Sequence, residues 1–553
     1  VAIANNFREG WQQRHRLFAL ILAGLICVLL LVSCQGSQPT GSTPGQQTPK
    51  KGDRVTLGTI LKPRTLDPAD SYDLFGLMIS YNVCDSLYTY KLGTTELIPH
   101  LATELPEISP DGLTYRIQLR QGVTFHDNTP FDAKAMAFSL SRFIRNGGKP
   151  SFLLADTIAN ITATGDRELT FRLNKPFAAF PALLAFPGAC AVSPKVYEIG
   201  EGKFLPEQLV GTGRYKLTHV NSDSLQLEVF DQYWGEKPTN NGIDLQIYPA
   251  NPANLYNAFR TGAVDVAYQT LEAPQVKKLK ADAAQFQWQI IEAPGAAINF
   301  LTLNLKAEPI TALSVRKAIA SLVDRQLINE RILQGQGEPL YSLIPSTFAS
   351  AIPVFKTRYG DHDIIQAQAF LQEAGYSAEN PVTVEVWHSS GSMTTSIVAA
   401  VLKALSKRDL GNAIRFEPNS IASAAFFKNI GKGLYASALS NWYPDFLDAD
   451  NYLYPFLDCA QGSEAEGCIE GGSQSQGSFY YSQRMNELID EQRRESDPVK
   501  RQAVLTQIQE KLAEDIPYIP LWQSKDYAFA QKGIQGVVIN PSQNFPFWTI
   551  KLH

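Results

Sequence analysis

Period-two and helical-period stretches of apolar residues alternate along most of this 553-residue chain. Residues 53–60 mix apolar and small side chains and read as a first strand. A loop over 64–82, carrying Tyr72, Phe75 and Tyr81, is expected after it. Tyr115, Ile117 and Leu119 then alternate with Arg116, Gln118 and Arg120, the pattern of a half-buried strand. Ala133, Met136, Ala137 and Leu140 share one face of a helix over 133–143. Leu169, Phe171 and Leu173 alternate again, as do Leu225, Leu227 and Val229. Val315, Ala318, Ile319, Leu322 and Val323 predict a helix over 314–327. Asp497 and Pro498 form a cap and first-turn pair ahead of a stripe of Val504, Ile508 and Leu512. Strands and helices are intermixed throughout, so the expected class is α/β, more loosely mixed α+β, with mixed sheets. No internal repeat is visible.

The first 52 residues follow a different pattern. Arg8, Arg14 and Arg16 precede an apolar run from Leu17 to Val32 that ends in Ser33-Cys34. The run is short against the roughly 20 residues a spanning helix needs. A basic start, an apolar stretch and a small residue before cysteine resemble a bacterial lipobox. That resemblance implies a signal peptide over 1–33 and a diacylglycerol on Cys34. Residues 35–52, QGSQPTGSTPGQQTPKKG, contain no large apolar side chain and read as a flexible tether.

Composition narrows the function classes. Loss of the first 33 residues removes three arginines and one glutamate and moves the net formal charge from −5 to −7. An acidic chain is a poor nucleic-acid binder. The roughly 500 residues that remain are too many for one core. Cys459 and Cys468 bracket a polar loop and are expected to pair in an oxidising compartment. Cys84 and Cys190 sit in apolar surroundings, where free thiols and a bond are equally compatible with the sequence.

Catalytic and metal motifs are sparse. There is no His-Glu-x-x-His, nucleophile elbow, Walker loop or Gly-x-Gly-x-x-Gly. His126-Asp127 is one potential arm of a metal site without a second ligand at suitable spacing. Asp361-His362-Asp363 reads as solvated surface, and Gly211-Thr212-Gly213 as a turn. The densest chemistry lies in Trp442 to Leu453, WYPDFLDADNYL, where rings interleave with Asp445, Asp448 and Asp450. Such a segment is either an aromatic-anchored loop or a ligand cleft in which a carboxylate receives a cation.

Longer motifs carry a family resemblance. DGLTYRIQLRQGVTFHDNTPFDAKAMAFSLSRF at 111–143 resembles the signature of the large extracytoplasmic solute-binding proteins of peptide/nickel-type ABC importers, family 5. LKPRTLDPAD at 61–70, LIPHLAT at 97–103, VGTGRYKL at 210–217, DQYWG at 231–235, LSVRKAIASLVDRQLI at 313–328 and DIPYIPLW at 515–522 extend it across 53–553. The resemblance implies a two-lobed fold with an extra domain on lobe one. By analogy lobe one comprises 53–82, 205–290 and 515–553, the extra domain 83–204, and lobe two 291–514. It implies a non-enzymatic, monomeric receptor without cofactor or bound metal. Such a receptor closes on a peptide and delivers it to permease subunits with an associated ATPase. The expected location is the periplasm, or the outer face of a single-membrane cell, with a lipid anchor in the membrane.

In peptide binders of this family a Trp-x-x-Asp segment sets an aspartate against the ligand's α-ammonium. Trp442-Tyr443-Pro444-Asp445 matches it, which implies that Asp445 is the ammonium partner and Trp442, Tyr443 and Tyr452 are cleft residues. Two departures stand out. The family turn has Gly after His-Asp, and this chain has Asn128, which also tolerates left-handed backbone. Some oligopeptide binders carry Arg three residues before the Trp, where this chain has Leu439. Lys428, Arg415 and Arg316 are available cations, but none is placed by the sequence. A nickel chelate, haem or an oligosaccharide (stacked on Trp387, Tyr443 or Tyr452), a sensor role and a secreted hydrolase are the competing readings.

Overall fold

The structure is a computed structural model that describes residues 54–553. The expected signal peptide, Cys34 and the tether lie outside the described residues. Among the described residues no helix is long and apolar enough to cross a membrane.

An eleven-stranded sheet runs through the molecule. Its spine is a pair of long antiparallel strands, Gln289–Leu303 and Tyr518–Ala530, of 15 and 13 residues. At about 3.4 Å per residue the longer one reaches roughly 50 Å, enough to serve two bodies. At one end these strands join Ser437–Trp442, Val382–Ser389 and Ile414–Ile421. At the other they continue into Val266–Tyr268, Val55–Thr59, Ile243–Ile247, Ser224–Val229 and Tyr215–Val220. The crossing pair is irregular in the middle, with register shifts between Pro294 and Ile298 and between Asn299 and Phe300. A β-carbon on Gly295 would stand 2.8 Å from Ser524 O and 2.9 Å from Asp526 Oδ1. Only glycine allows that approach.

Buried apolar side chains gather into separate cores, as a chain of this length requires. One holds Phe300, Ile319, Val384, Phe416, Leu453, Ile508 and Ile519. A second holds Val55, Leu57, Tyr215, Leu227, Leu245 and Phe547. A third belongs to a separate four-stranded sheet, Glu107–Ile108, Thr114–Gln118, Glu168–Leu173 and Ile158–Ala163, covered by the helix Ala133–Arg145. The fold is therefore two lobes strung on crossing strands, with an extra domain beside one of them. The first half of Tyr518–Ala530 packs in the core of the lobe built on 298–522, and the second half in that of the other lobe.

Several expected elements appear near their predicted bounds. Asp497 accepts from Val499 N at 2.9 Å and Lys500 N at 3.0 Å, and starts the helix Pro498–Asp515. Asn128 adopts φ 66°, and its N–H closes on Phe125 O at 2.9 Å, so asparagine fills the glycine role in that turn. Cys459 and Cys468 are joined by a disulfide, and Cys84 and Cys190 are buried free thiols.

Two regions differ from expectation. Residues 64–82 are not all loop, because the helix Leu74–Val83 fills the second half. LFGLMISYNV is apolar on nearly every face, so no period marks it, and Asp73 Oδ1 starts it by accepting from Gly76 N at 2.8 Å. The helix expected over 314–327 stops at Leu322, and Asp324 caps a new turn by accepting from Leu327 N at 2.8 Å. That break turns Arg325 inward, fully buried, onto Leu340 O and Pro520 O. A buried guanidinium needs a counter-charge, and Asp361 supplies it at 3.1 Å. Asp361-His362-Asp363 is therefore not solvated surface. His362 lies 2.9 Å from Asp409, and Asp363 caps the helix Ile364–Glu373.

Candidate functional site

The strand Ser437–Trp442 ends at the cleft between the lobes, and the Trp442–Leu453 segment leaves it there. Asn451 fixes the turn. Its Oδ1 accepts from Trp442 Nε1 at 3.0 Å and from Asp445 N at 3.1 Å. The three carboxylates of the segment then separate by role. Asp448 is clamped by Arg501 at 2.6 and 2.8 Å. Asp450 is buried, accepts from Gln492, and has Arg493 at 3.7 Å. Among the described residues Asp445 has no cation beside it. Its Oδ1 accepts from Tyr72 OH at 2.6 Å, from the far side of the cleft. Burial raises the Asp445 carboxyl above its ordinary range, partly offset by the hydrogen bonds from Tyr72 and Asn451. Burial and the neighbouring carboxylate push the Tyr72 phenol up as well, so it stays a protonated donor.

Asp445 faces a chamber of about 540 Å³ walled by Leu77, Tyr90, Phe186, Trp442, Tyr443 and Phe446. Asp73 also lines it; Oδ1 is spent on the helix cap, and Oδ2 has no hydrogen-bond partner among the described residues. Among the described residues, two carboxylates and no Lys, Arg or His line this largely apolar chamber. Such a site is short of positive charge, and a ligand cation would supply it. The extra domain also reaches across the cleft. Leu447 N donates to Tyr90 OH at 2.8 Å, and Phe446 meets Phe177 edge-on with centroids 6.0 Å apart.

Of the residues expected in the cleft, Trp442, Tyr443 and Asp445 come together in this wall. Tyr452 does not. It is fully buried in the lobe core against Phe348, with its hydroxyl on Ala296 O at 2.9 Å, because the short helical turn Ala449–Tyr452 points it away from the cleft. His126 forms no metal arm. Nε2 donates to Gly213 O at 2.9 Å, and burial pushes the ring down to about 4, so it is a neutral strut. Gly211 and Gly213 press on Val83 and Cys84 at distances a β-carbon would forbid. Trp387 stacks on Tyr435 outside the chamber walls, and Arg316 is spent on Ile310 O, Thr311 O and Asp515 O.

A second chamber of about 630 Å³ adjoins the first and shares Phe427, Asn441 and Tyr443 with it. Its walls carry the hydroxyls of Ser389, Ser392, Ser423 and Ser440, together with Lys525. Tyr72, Asp73 and Lys525 escaped the sequence reading. Only the pairing of segments hundreds of residues apart brings them to the cleft.

Beside the chambers, on the irregular stretch of the crossing strands, Asp526 is 3% exposed and its Oδ2 lacks a partner among the described residues. Burial pushes its carboxyl up to about 7, against hydrogen bonds from Gln543 and Gln269. An unfolded aspartate ionises near 3.8, so between about pH 4 and pH 7 the unfolded chain binds fewer protons than the folded one. Stability contributed by the neutral carboxyl is whole below pH 4 and is lost as pH rises through 7. Asp526→Asn removes that loss. Thermal melts should show the variant more stable than the parent at pH 8 and equal to it near pH 4. An offset independent of pH contradicts the assignment.

The chain resembles known proteins over most of its length. The model for bacterial extracellular solute-binding proteins, family 5 (middle), matches residues 96–464. A probable D,D-dipeptide-binding periplasmic protein, DdpA of Escherichia coli K12, is 26% identical over 503 residues, covering 88% of this chain and 92% of its own. A dipeptide-binding protein of the same strain is 24% identical over 97% of both chains. HbpA2 of Haemophilus parasuis superposes with a TM-score of 0.77 at 23% identity, over 91% of this chain and 100% of the other. The ABC transporter-associated periplasmic binding protein DppA of Helicobacter pylori, solved with the peptide STSA, gives 0.72 at 24% identity, over 91% and 98%.

Proposed function

Because this chain belongs to the bacterial extracellular solute-binding proteins of family 5, we propose that it captures peptides between its lobes and passes them to the permease of an ABC importer. The observation that carries the reading is the cation-free chamber with Asp445 and Asp73 in its wall. Asp445 receives the peptide's α-ammonium, and Trp442 and Tyr443 exclude water around it. The peptide-binding relatives support the same reading. Lobe one is 53–82, 205–290 and 515–553, the extra domain 83–204 and lobe two 291–514. The separation of the buried cores supports three bodies, although Tyr518, Ile519, Leu521 and Trp522 pack in the core of lobe two, and Val83, Cys84, Cys190, Val192 and Tyr197 in that of lobe one. The lobes turn about the irregular stretch of the crossing strands, a hinge motion of the kind that closes two-lobed receptors.

A lipid on Cys34 and an 18-residue tether (35–52) hold this monomeric receptor at the periplasmic face of a membrane, close to the permease. The basic segment, apolar run and terminal cysteine support that placement. The test of ligand class is a calorimetric screen of the purified protein against short peptides, oligosaccharides, haem and a nickel–histidine chelate. Heat of binding with peptides is expected. Binding of a sugar, haem or the chelate in the absence of peptide binding overturns the reading.

A further inference from the structure

We propose that Lys525 receives the free carboxylate of the bound peptide, so that the ligand spans both chambers and contains three or more residues. This rests on the peptide reading and extends it. Among the described residues Lys525 is the single Lys or Arg lining either chamber. It projects from the second crossing strand, its backbone N–H held by Gln336 O at 3.0 Å. The ammonium is not committed elsewhere. Its one ion-pair contact, Glu338 Oε1, lies at 3.9 Å, and Glu338 Oε2 is already taken by Gln523 Nε2 at 3.2 Å. The other charged group of that chamber, Glu272, is spent in the capping box of the helix Ala273–Phe286.

The first chamber thus carries carboxylates alone, and the second carries the ammonium of Lys525 alongside the capping carboxylate of Glu272. That is the arrangement a zwitterionic chain needs, ammonium at one end and carboxylate at the other. The sheet register gives the span. Trp522 pairs with Asn299, Asn299 pairs with Asn441 on the next strand, and Lys525 stands three residues past Trp522, opposite Pro294. Two strand spacings amount to about 10 Å. Asp445 stands four residues past Asn441. An extended peptide advances about 3.4 Å per residue, so a dipeptide held at Asp445 ends short of Lys525.

The experiment is titration calorimetry of the full chain with di-, tri- and tetrapeptides, tetra-alanine among them, as free acids and as C-terminal amides. The parent, Lys525→Gln and Lys525→Arg are compared. For tri- and tetrapeptides, amidation is expected to weaken binding to the parent at least tenfold. The loss should disappear in Lys525→Gln and return in Lys525→Arg, which also separates charge from packing. Dipeptides should show little effect of amidation. Equal binding of acid and amide, or a penalty that survives Lys525→Gln, overturns the inference. If peptides bind with sensitivity to N-acetylation but none to amidation, only Lys525 falls. If no peptide binds, the peptide reading falls and this inference with it.

Discussion

Replacing Asp445 with alanine is expected to weaken peptide binding by roughly 2–5 kcal/mol, the scale for removing one partner of a buried, hydrogen-bonded charge pair. Asp448 and Asp450, three and five residues on, are matched by Arg501 and Arg493, so neither is open to a ligand. Asp445 holds one hydroxyl, Tyr72, and a neutral donor compensates a carboxylate less than a cation does. Its raised pKa records the same deficit. An arriving ammonium cancels it in a chamber walled largely by apolar side chains. Tyr72 already meets Asp445 from the far side of the cleft, so a ligand ammonium at Asp445 also neighbours the Tyr72 hydroxyl. Asp445→Asn, which keeps shape and hydrogen bonding, should lose most of the same affinity. Binding should also decline as pH falls through the raised pKa of Asp445, at a higher pH than an ordinary aspartate would impose. A titration series from pH 7 downward checks this.

The second large effect concerns the fold. Arg142 and Asp67 form a two-pronged ion pair at 2.8 and 2.6 Å, with the side chains 1% and 0% exposed. Asp67 also accepts from Ala69 N at 3.0 Å and Leu205 N at 2.7 Å, while Arg142 donates to Glu198 O and Lys203 O and lies over the Tyr197 ring. The pair thus fastens the loop that leads into Tyr72 and Asp73 to the helix Ala133–Arg145 of the extra domain. Truncating either partner strands a desolvated charge, and Arg142→Ala or Asp67→Ala should each cost about 3–5 kcal/mol by denaturant unfolding. The double variant should cost clearly less than the sum, since neither charge is then left alone. Additive losses would show that the two side chains act separately.

What the sequence made legible, and what it hid, follows from range. The helix Ala133–Arg145 and the strand Glu168–Leu173 announce themselves through a period that local burial imposes. The turn at Asn128 and the cap at Asp497 are local chemistry, and both were readable. The helix Leu74–Val83 was not, since burial on all sides erases the period. Arg325 and Asp361 were hidden for another reason: their match depends on a helix break that periodicity does not register. One dense segment drew notice to Asp445, Asp448 and Asp450 together, and only the resemblance to the family's Trp-x-x-Asp singled out Trp442 and Asp445. Tyr72 is 373 residues from Asp445, and Lys525 meets the cleft only through the pairing of the crossing strands. Tyr452 shared the segment's aromatic character with Trp442 and Tyr443, yet helical geometry placed it in the core.

The central claim is that the cleft recognises a peptide's α-ammonium. The most direct measurement is titration calorimetry of one tetrapeptide and its N-acetylated form on the same preparation of this protein. Acetylation removes the charge and keeps the remaining chain. The account predicts that the acetylated peptide binds at least tenfold more weakly to the parent, and that the two forms bind Asp445→Ala alike. Equal affinity of the two forms for the parent would contradict it.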